Sequence, residues 1–415
     1  MMKFFSSLFK GVNSNILALS FARFADALGN SLMFVLLPLY ITSLPSPNLA
    51  LSETMLVSIT LSLYGVVNTI LQPVVGIISD RVARKKPLIL FGLLVMGLGT
   101  SAFNFARTFS GLLSIRLLQG VGVALTVPAS LAIINSSSVI ESRGRSMGFY
   151  STLRLIGFAI GPLLGGLLHV HFGFQAAFFI GGGVTLLGVL AVKLWVQETP
   201  RQQAEEDQDL QEELTSLVDQ KIWNKHIISL GTAMFMMASA YSMMSALENE
   251  FNARLDQTAL GFGIAFSALT VSRMIVQTPL GYLSDRIGRK PLIVTGLILM
   301  APTTVMLGMV GTTLGLTGAR ALQGITSAAI SAPTFALVGD LSSEEGQGRQ
   351  MSIVTTGFFS GIAVGPLIAG YFSQMAFVLP FAIGGVMLLI GAAIVHFLVP
   401  ESRKTETQTL WYNQH

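Results

Sequence analysis

The chain has 415 residues, of which 52% are hydrophobic and only 11% charged, and its formal net charge is +4. Ordinary soluble domains carry about a quarter charged residues, so the composition excludes a water-soluble globular protein and indicates a polytopic membrane protein. The cations sit in short loops between apolar runs, which argues against nucleic acid as a partner; the absence of cysteine excludes disulfides and thiolate metal sites.

The N-terminal stretch MMKFFSSLFKGVNSN is basic and mildly amphipathic. The apolar run behind it is interrupted by Arg23 and Asp26 and lacks a small-residue cleavage site, so no removed signal peptide is expected. Hydropathy between polar breaks predicts an all-α chain of twelve spans, at approximately 16–44, 54–79, 87–106, 110–134, 147–170, 174–196, 225–249, 258–283, 291–311, 314–338, 350–373 and 377–399. Alternate loops differ sharply in charge. Seventeen Lys and Arg fall on the side of the termini, against Arg107 and Arg254 on the other, so both termini are expected in the cytosol.

The one long connection, 197–224, is polar with an acidic centre. It divides the chain into a bundle of residues 1–196, a linker, a second bundle of 225–400 and a tail of 401–415. Leu210, Leu214, Leu217 and Val218 recur there at helical spacing, compatible with a short surface helix or a plain linker. The second bundle echoes the first. GIISDRVARKKP (76–87) returns as GYLSDRIGRKP (281–291), RLLQG (116–120) as RALQG (320–324), and GFAIGP (157–162) as GIAVGP (361–366). Landmarks held at one offset of 204 or 205 positions indicate a duplicated six-span unit with a substrate path between the copies.

These residues resemble a known family. The loop after span 2 matches the pattern G-x-x-x-D-R-x-G-R-[KR], with Ala83 in place of the glycine. RLLQGVGVA (116–124) matches a span 4 signature, and Gly148, Gly157, Gly161, Pro162, Gly165 and Gly166 match the span 5 pattern G-x8-G-x3-G-P-x2-G-G. The whole is similar to the twelve-span drug/proton antiporters of the major facilitator superfamily. The resemblance implies two pseudo-symmetric six-helix bundles and a secondary active transporter, expected to be a monomer in a bacterial cytoplasmic (inner) membrane. It implies proton-coupled export of a small organic or drug-like compound, with the proton gradient as energy source and no cofactor. An importer of an anionic metabolite stands as the alternative, because five intramembrane arginines face one well-buried acid. No P-loop, Ser/His/Asp arrangement or metal cluster is present to suggest an enzyme, and His169 and His171 lack further ligands for a metal.

Candidate site residues follow. Intramembrane charges are functional by default, and Asp26 admits two readings: a carboxyl that takes and releases a proton, or a structural pair with Arg23. Arg116, expected to face the cavity with Gln119 one turn deeper, admits two readings: the proton-coupling role that the resemblance implies, or a hydrogen-bonded helix brace. Polar and aromatic positions give further cavity candidates: Asn30, Phe34, Asn68, Gln72, Arg154, Phe158, Tyr241, Arg273 and Gln277. The motif loop supplies a gating set, Gly76, Asp80, Arg81, Arg84 and Glu141, with Asp285 and Arg286 in the second copy. The resemblance implies that Asp80 caps the helix beginning near Gln350, with Arg81 and Arg84 placed to pair with Glu141 and close the cytoplasmic side; the alternative is that these cations only orient the loop. The glycines of span 5 are expected to form a flexible seam against span 8, with plain tight helix packing as the other reading. Glu248 and Glu250 are expected as solvated acids at the outer end of span 7.

Overall fold

The computed structural model describes residues 13–45, 51–82, 84–138, 143–197, 224–341 and 347–401. Eleven helical runs there are long and apolar enough to cross a membrane. One of them, Arg143–Trp195, is 53 residues long and bends at Gly173, where φ is 75° and ψ −177°. Only glycine adopts that backbone without strain, so this run is spans 5 and 6 joined at a tight corner, giving twelve spans. An all-helical architecture is what a bilayer demands, because a helix satisfies its own backbone hydrogen bonds. Spans 1 to 4 are Ser14–Ser43, Glu53–Arg81, Lys86–Ala102 and Phe109–Ser137. Spans 7 to 12 are Lys225–Ser242, Ala259–Ile287, Arg289–Leu307, Thr313–Leu341, Gln347–Phe372 and Leu379–Leu398.

Side-chain caps start several spans at the predicted loops. Asn13, Ser52, Thr108 and Asn224 each accept a hydrogen bond from a first-turn N–H. Such a cap contributes about 1 kcal/mol. Span 7 differs from expectation. Its helix stops at Ser242, continues as a tight turn over Met243–Ala246, and gives way to a short helix, Glu248–Leu255. The Ser242 hydroxyl donates to Ser239 O (3.2 Å) and Gly361 O (3.3 Å), and Ser245 to Ser242 O (2.7 Å). Hydroxyls that occupy carbonyls in this way compete with the regular helix ladder.

The two six-span halves meet along span 2 against span 11 and span 5 against span 8. Away from the termini they are fused. One apolar cluster there combines Leu36, Tyr40 and Phe178 with Phe251, Phe262 and Phe381. Asn249 Nδ2 donates to Pro38 O across the seam (3.1 Å), and the Thr54 hydroxyl donates to Glu250. At the end bearing the termini the cores are separate, one built on Ile16, Ile133 and Val196 and the other on Ile227, Leu337 and Val399. Glycines report the same splay. A Cβ on Gly65 would meet the Ala363 Cβ at 2.9 Å, whereas Gly76, Gly148 and Gly281, nearer the termini, have nothing within 4 Å. The linker helix suggested at Leu210–Val218 and the tail beyond Glu401 lie outside the described residues.

Candidate substrate cavity

A cavity of about 190 Å³ lies between the halves, lined by Asp26, Arg23, Asn30, Phe34, Tyr64 and Asn68 on one side and Tyr241, Ser245, Phe266, Arg273, Phe358 and Phe359 on the other. Arg154 and Phe158 of span 5 complete it. Span 1 places Arg23 and Asp26 one turn apart on a single face, and Arg23 Nη1 donates to Asp26 Oδ2 at 2.5 Å. The pair is only 6% and 3% exposed, so it sits in low dielectric, where each charge depends on the other. Arg23 Nε and Asp26 Oδ1 have no partner among the described residues.

The remaining cavity charges are cationic. Arg154 lies over the ring of Phe158 (5.3 Å) and over Phe359 of the opposite half (5.8 Å). Arg273 Nη2 donates to the Ser331 hydroxyl (3.0 Å). Phe34 stacks with Phe158 (6.4 Å) and, across the seam, with Phe266 (5.2 Å). Tyr64, Phe266, Phe358 and Phe359 escaped the sequence reading, because aromatics inside apolar spans carry no mark that separates a cavity wall from a lipid face. The echo of GFAIGP by GIAVGP, which begins two residues after Phe359, was the nearest available signal.

Several expected cavity residues lie elsewhere. Arg116 and Gln119 do not line the cavity; they are 2% and 0% exposed inside the first half. Arg116 Nη1 donates to Gln119 Oε1 (3.2 Å) and Asn30 Oδ1 (3.4 Å), and Gln119 Nε2 to Thr100 Oγ1 (3.0 Å). The second half repeats the arrangement: Arg320 Nη1 donates to Gln323 Oε1 (2.6 Å) and Gln323 Nε2 to Thr304 Oγ1 (3.1 Å). A brace built twice at one offset reflects the duplicated fold, since an arginine this deep needs acceptors within its own bundle. Gln72 and Gln277 also fall outside the lining; they are half-buried, about one turn nearer the termini than Asn68 and Arg273.

Glu248 corrects the expectation of a solvated acid, since it is 0% exposed. The fused end folds over it, and its one hydrogen bond among the described residues comes from Asn252 Nδ2 at 3.5 Å. Glu248 lies just beyond the Lys225–Ala246 span, and burial pushes its carboxyl well above the usual carboxylate range. Glu250 is half-buried and held by Thr54.

The span 5 glycines face two ways. A Cβ on Gly157 would meet Phe24 O at 2.5 Å, on Gly161 Leu28 O at 2.8 Å, and on Gly165 Leu32 O at 3.1 Å, all on span 1 of the same half. Only Gly166 meets span 8, at Ala259 O (2.5 Å), and Gly263 of span 8 packs in return against Pro162 O. The expected seam against span 8 is therefore confined to the Pro162–Gly166 end, because 3.6 residues per turn carries the other three glycines toward span 1.

Of the gating set, Glu141 and the side chains of Asp80 and Arg81 lie outside the described residues, while Arg84 is exposed. In the second copy Asp285 is 59% exposed and pairs with Arg289 one turn on (3.5 Å). Arg289 also pairs with Asp340 (2.7 Å), and the Glu401 carboxylate accepts from the N–H groups of Arg289 and Lys290. Arg286 is exposed. Gly288 has φ 102°, which explains the motif's glycine before span 9.

This fold, two six-span halves around a shared cavity, defines a membrane transporter rather than an enzyme. The family model of the Major Facilitator Superfamily matches residues 19–262 and 227–410. The chain belongs to that superfamily. It is 28% identical over 357 residues to a homologue of the multidrug resistance efflux pump PmrA from Lactococcus lactis, covering 83% of this chain and 86% of that protein. To the synaptic vesicular amine transporter of Bos taurus it is 24% identical over 366 residues, covering 87% and 69%. The fold is similar to a crystal structure of a bacterial homologue of the human lysosomal transporter Spinster in an inward-facing, occupied conformation. That match has a TM-score of 0.74 at 16% identity and covers 92% of this chain and 96% of the other.

Proposed function

We propose that this protein exports a small organic compound from a bacterial cytosol by alternating access, in exchange for protons. One observation carries the reading: the membrane-buried Arg23–Asp26 pair forms part of the wall of the cavity between the halves. A proton on Asp26 cancels its charge and releases Arg23, so occupancy of the cavity and protonation of Asp26 are linked through one salt bridge. With the termini in the cytosol, as the loop charges imply, the splayed end faces inward and the fused end seals the outside. Substrate then enters from the cytosol, and protons reach Asp26 after the fused end parts. The similarity to multidrug pumps supports a drug-like substrate. The complete span 5 motif supports export over import; the cationic cavity favours the alternative of an importer of anions.

The test is flux in proteoliposomes under pH gradients of either sign. Wild type should move substrate uphill against an opposed proton gradient. Asp26→Asn should lose uphill transport and retain downhill exchange, because the cavity keeps its shape. Uphill transport by Asp26→Asn at the wild-type rate refutes the assignment.

A further inference from the structure

The charge of the cavity wall is unbalanced in a way that proton coupling does not explain. Arg23 is neutralised by Asp26, and no other Asp or Glu among the described residues lines the cavity. Arg154 and Arg273 are left over, one from each half. Arg154 makes no ion pair or hydrogen bond among the described residues; it feels the charge of Asp26, which Arg23 already engages, only at a distance, and its contacts are the rings of Phe158 and Phe359. Among the described residues Arg273 is held by the Ser331 hydroxyl alone. In both, Nε is buried without an acceptor.

Two guanidinium groups without an ion-paired carboxylate of their own are costly in a membrane-embedded cavity, and an anion of matching geometry offsets that cost. The planar fork of arginine fits carboxylate, sulfonate or phosphate oxygens in pairs. Around these forks the wall is aromatic: Phe34, Phe158 and Phe266 form a stacked run from Arg154 into the second half. Such a surface takes an apolar, ring-bearing body and offers little to a hydrated inorganic ion.

We propose that the substrate is an amphipathic organic anion, whose acidic group is held between Arg154 and Arg273 and whose aromatic or aliphatic body lies on Phe34, Phe158 and Phe266. This deepens the transport reading and rests on it for its biological meaning, though binding can be tested alone. Because each half donates one arginine, the anion bridges the halves, and its departure lets their like charges repel. The subsite therefore couples occupancy to the separation of the halves.

The experiment is calorimetric titration of the full chain in lipid nanodiscs with three probes on one ring system: naphthalenesulfonate, naphthoate and naphthyl-trimethylammonium. The two anions should bind at least about tenfold more tightly than the cation, the scale of one charge-assisted hydrogen bond. Arg154→Gln and Arg273→Gln should each weaken the anions by about tenfold or more and leave the cation unchanged or improved, with Arg273→Lys retaining part of the affinity. Equal binding of cation and anion, or anion binding indifferent to both substitutions, overturns the proposal. Should a variant fail to fold, the wild-type comparison of the probes still decides. Anion binding without gradient-driven flux would remove the export reading and leave this one standing.

Discussion

Replacing Gly166 by alanine places a methyl group 2.5 Å from Ala259 O and 2.7 Å from Leu260 Cα. Both are backbone atoms of span 8, in the other half, so no side chain can swing aside. Overpacking of this kind costs about 1–3 kcal/mol. The cost falls on the state whose fused end brings spans 5 and 8 together, and it is relieved once that end parts. The equilibrium should therefore move roughly 5- to 150-fold toward the parted state. The chain has no native cysteine, so spin labels on Ser43→Cys and Ala253→Cys, exposed on opposite halves at that end, report the distance cleanly. The control is Gly157→Ala, whose methyl meets Phe24 O at the same 2.5 Å but within one half. It should lower the melting temperature and leave the label distances alone. If both variants shift the distances alike, or Gly166→Ala shifts nothing, the seam is not state-dependent and the argument fails.

Three other outcomes are expected. Glu248 is buried with its carboxyl raised, so the closed end is stabilised while the group stays protonated and loses that stabilisation as pH rises through the raised value. The Ser43–Ala253 distance should lengthen with pH, and Glu248→Gln should abolish the trend; Glu250, tied to Thr54, and Arg254, stacked 3.9 Å from the Phe377 ring, are the other charges of that short helix. A flat pH profile in wild type would refute this. Gln323→Leu leaves Arg320 and Thr304 without their shared partner and should destabilise the second half by about 1–3 kcal/mol, seen as a lower melting temperature with substrate affinity preserved. Lost affinity at an unchanged melting temperature would show that this brace serves binding. For orientation, Thr42→Cys should react with an impermeant thiol reagent from outside intact cells and Lys225→Cys should not, and the reverse pattern would invert the topology.

How much was legible beforehand depended on whether a signal was local. Span positions and the two-fold repeat are local or periodic properties (length of apolar run, loop charge, a recurring offset), and the family resemblance was carried by short local motifs. Arg23, Asp26, Asn30, Asn68, Arg154 and Arg273 could be singled out because a polar residue inside an apolar span is costly wherever it points, and all six line the cavity. Burial against one helix or another is decided by packing across hundreds of residues, and there the sequence was silent. Arg116 and Arg154 look alike in the chain, yet the first is braced within its bundle by Gln119 and the second opens onto the cavity. Glu248 reads as a solvated acid at the outer end of span 7 until the short helix Glu248–Leu255 folds it under the fused end. Gly157 and Gly166 belong to one motif, but the helix turn sends one to span 1 and the other to span 8. Composition and periodicity thus determined a twelve-span duplicated membrane protein, and the resemblance of its motifs implied a transporter. Only the tertiary structure decided which side chains meet in the cavity and which end is closed, because both depend on how two separate bundles lean on each other.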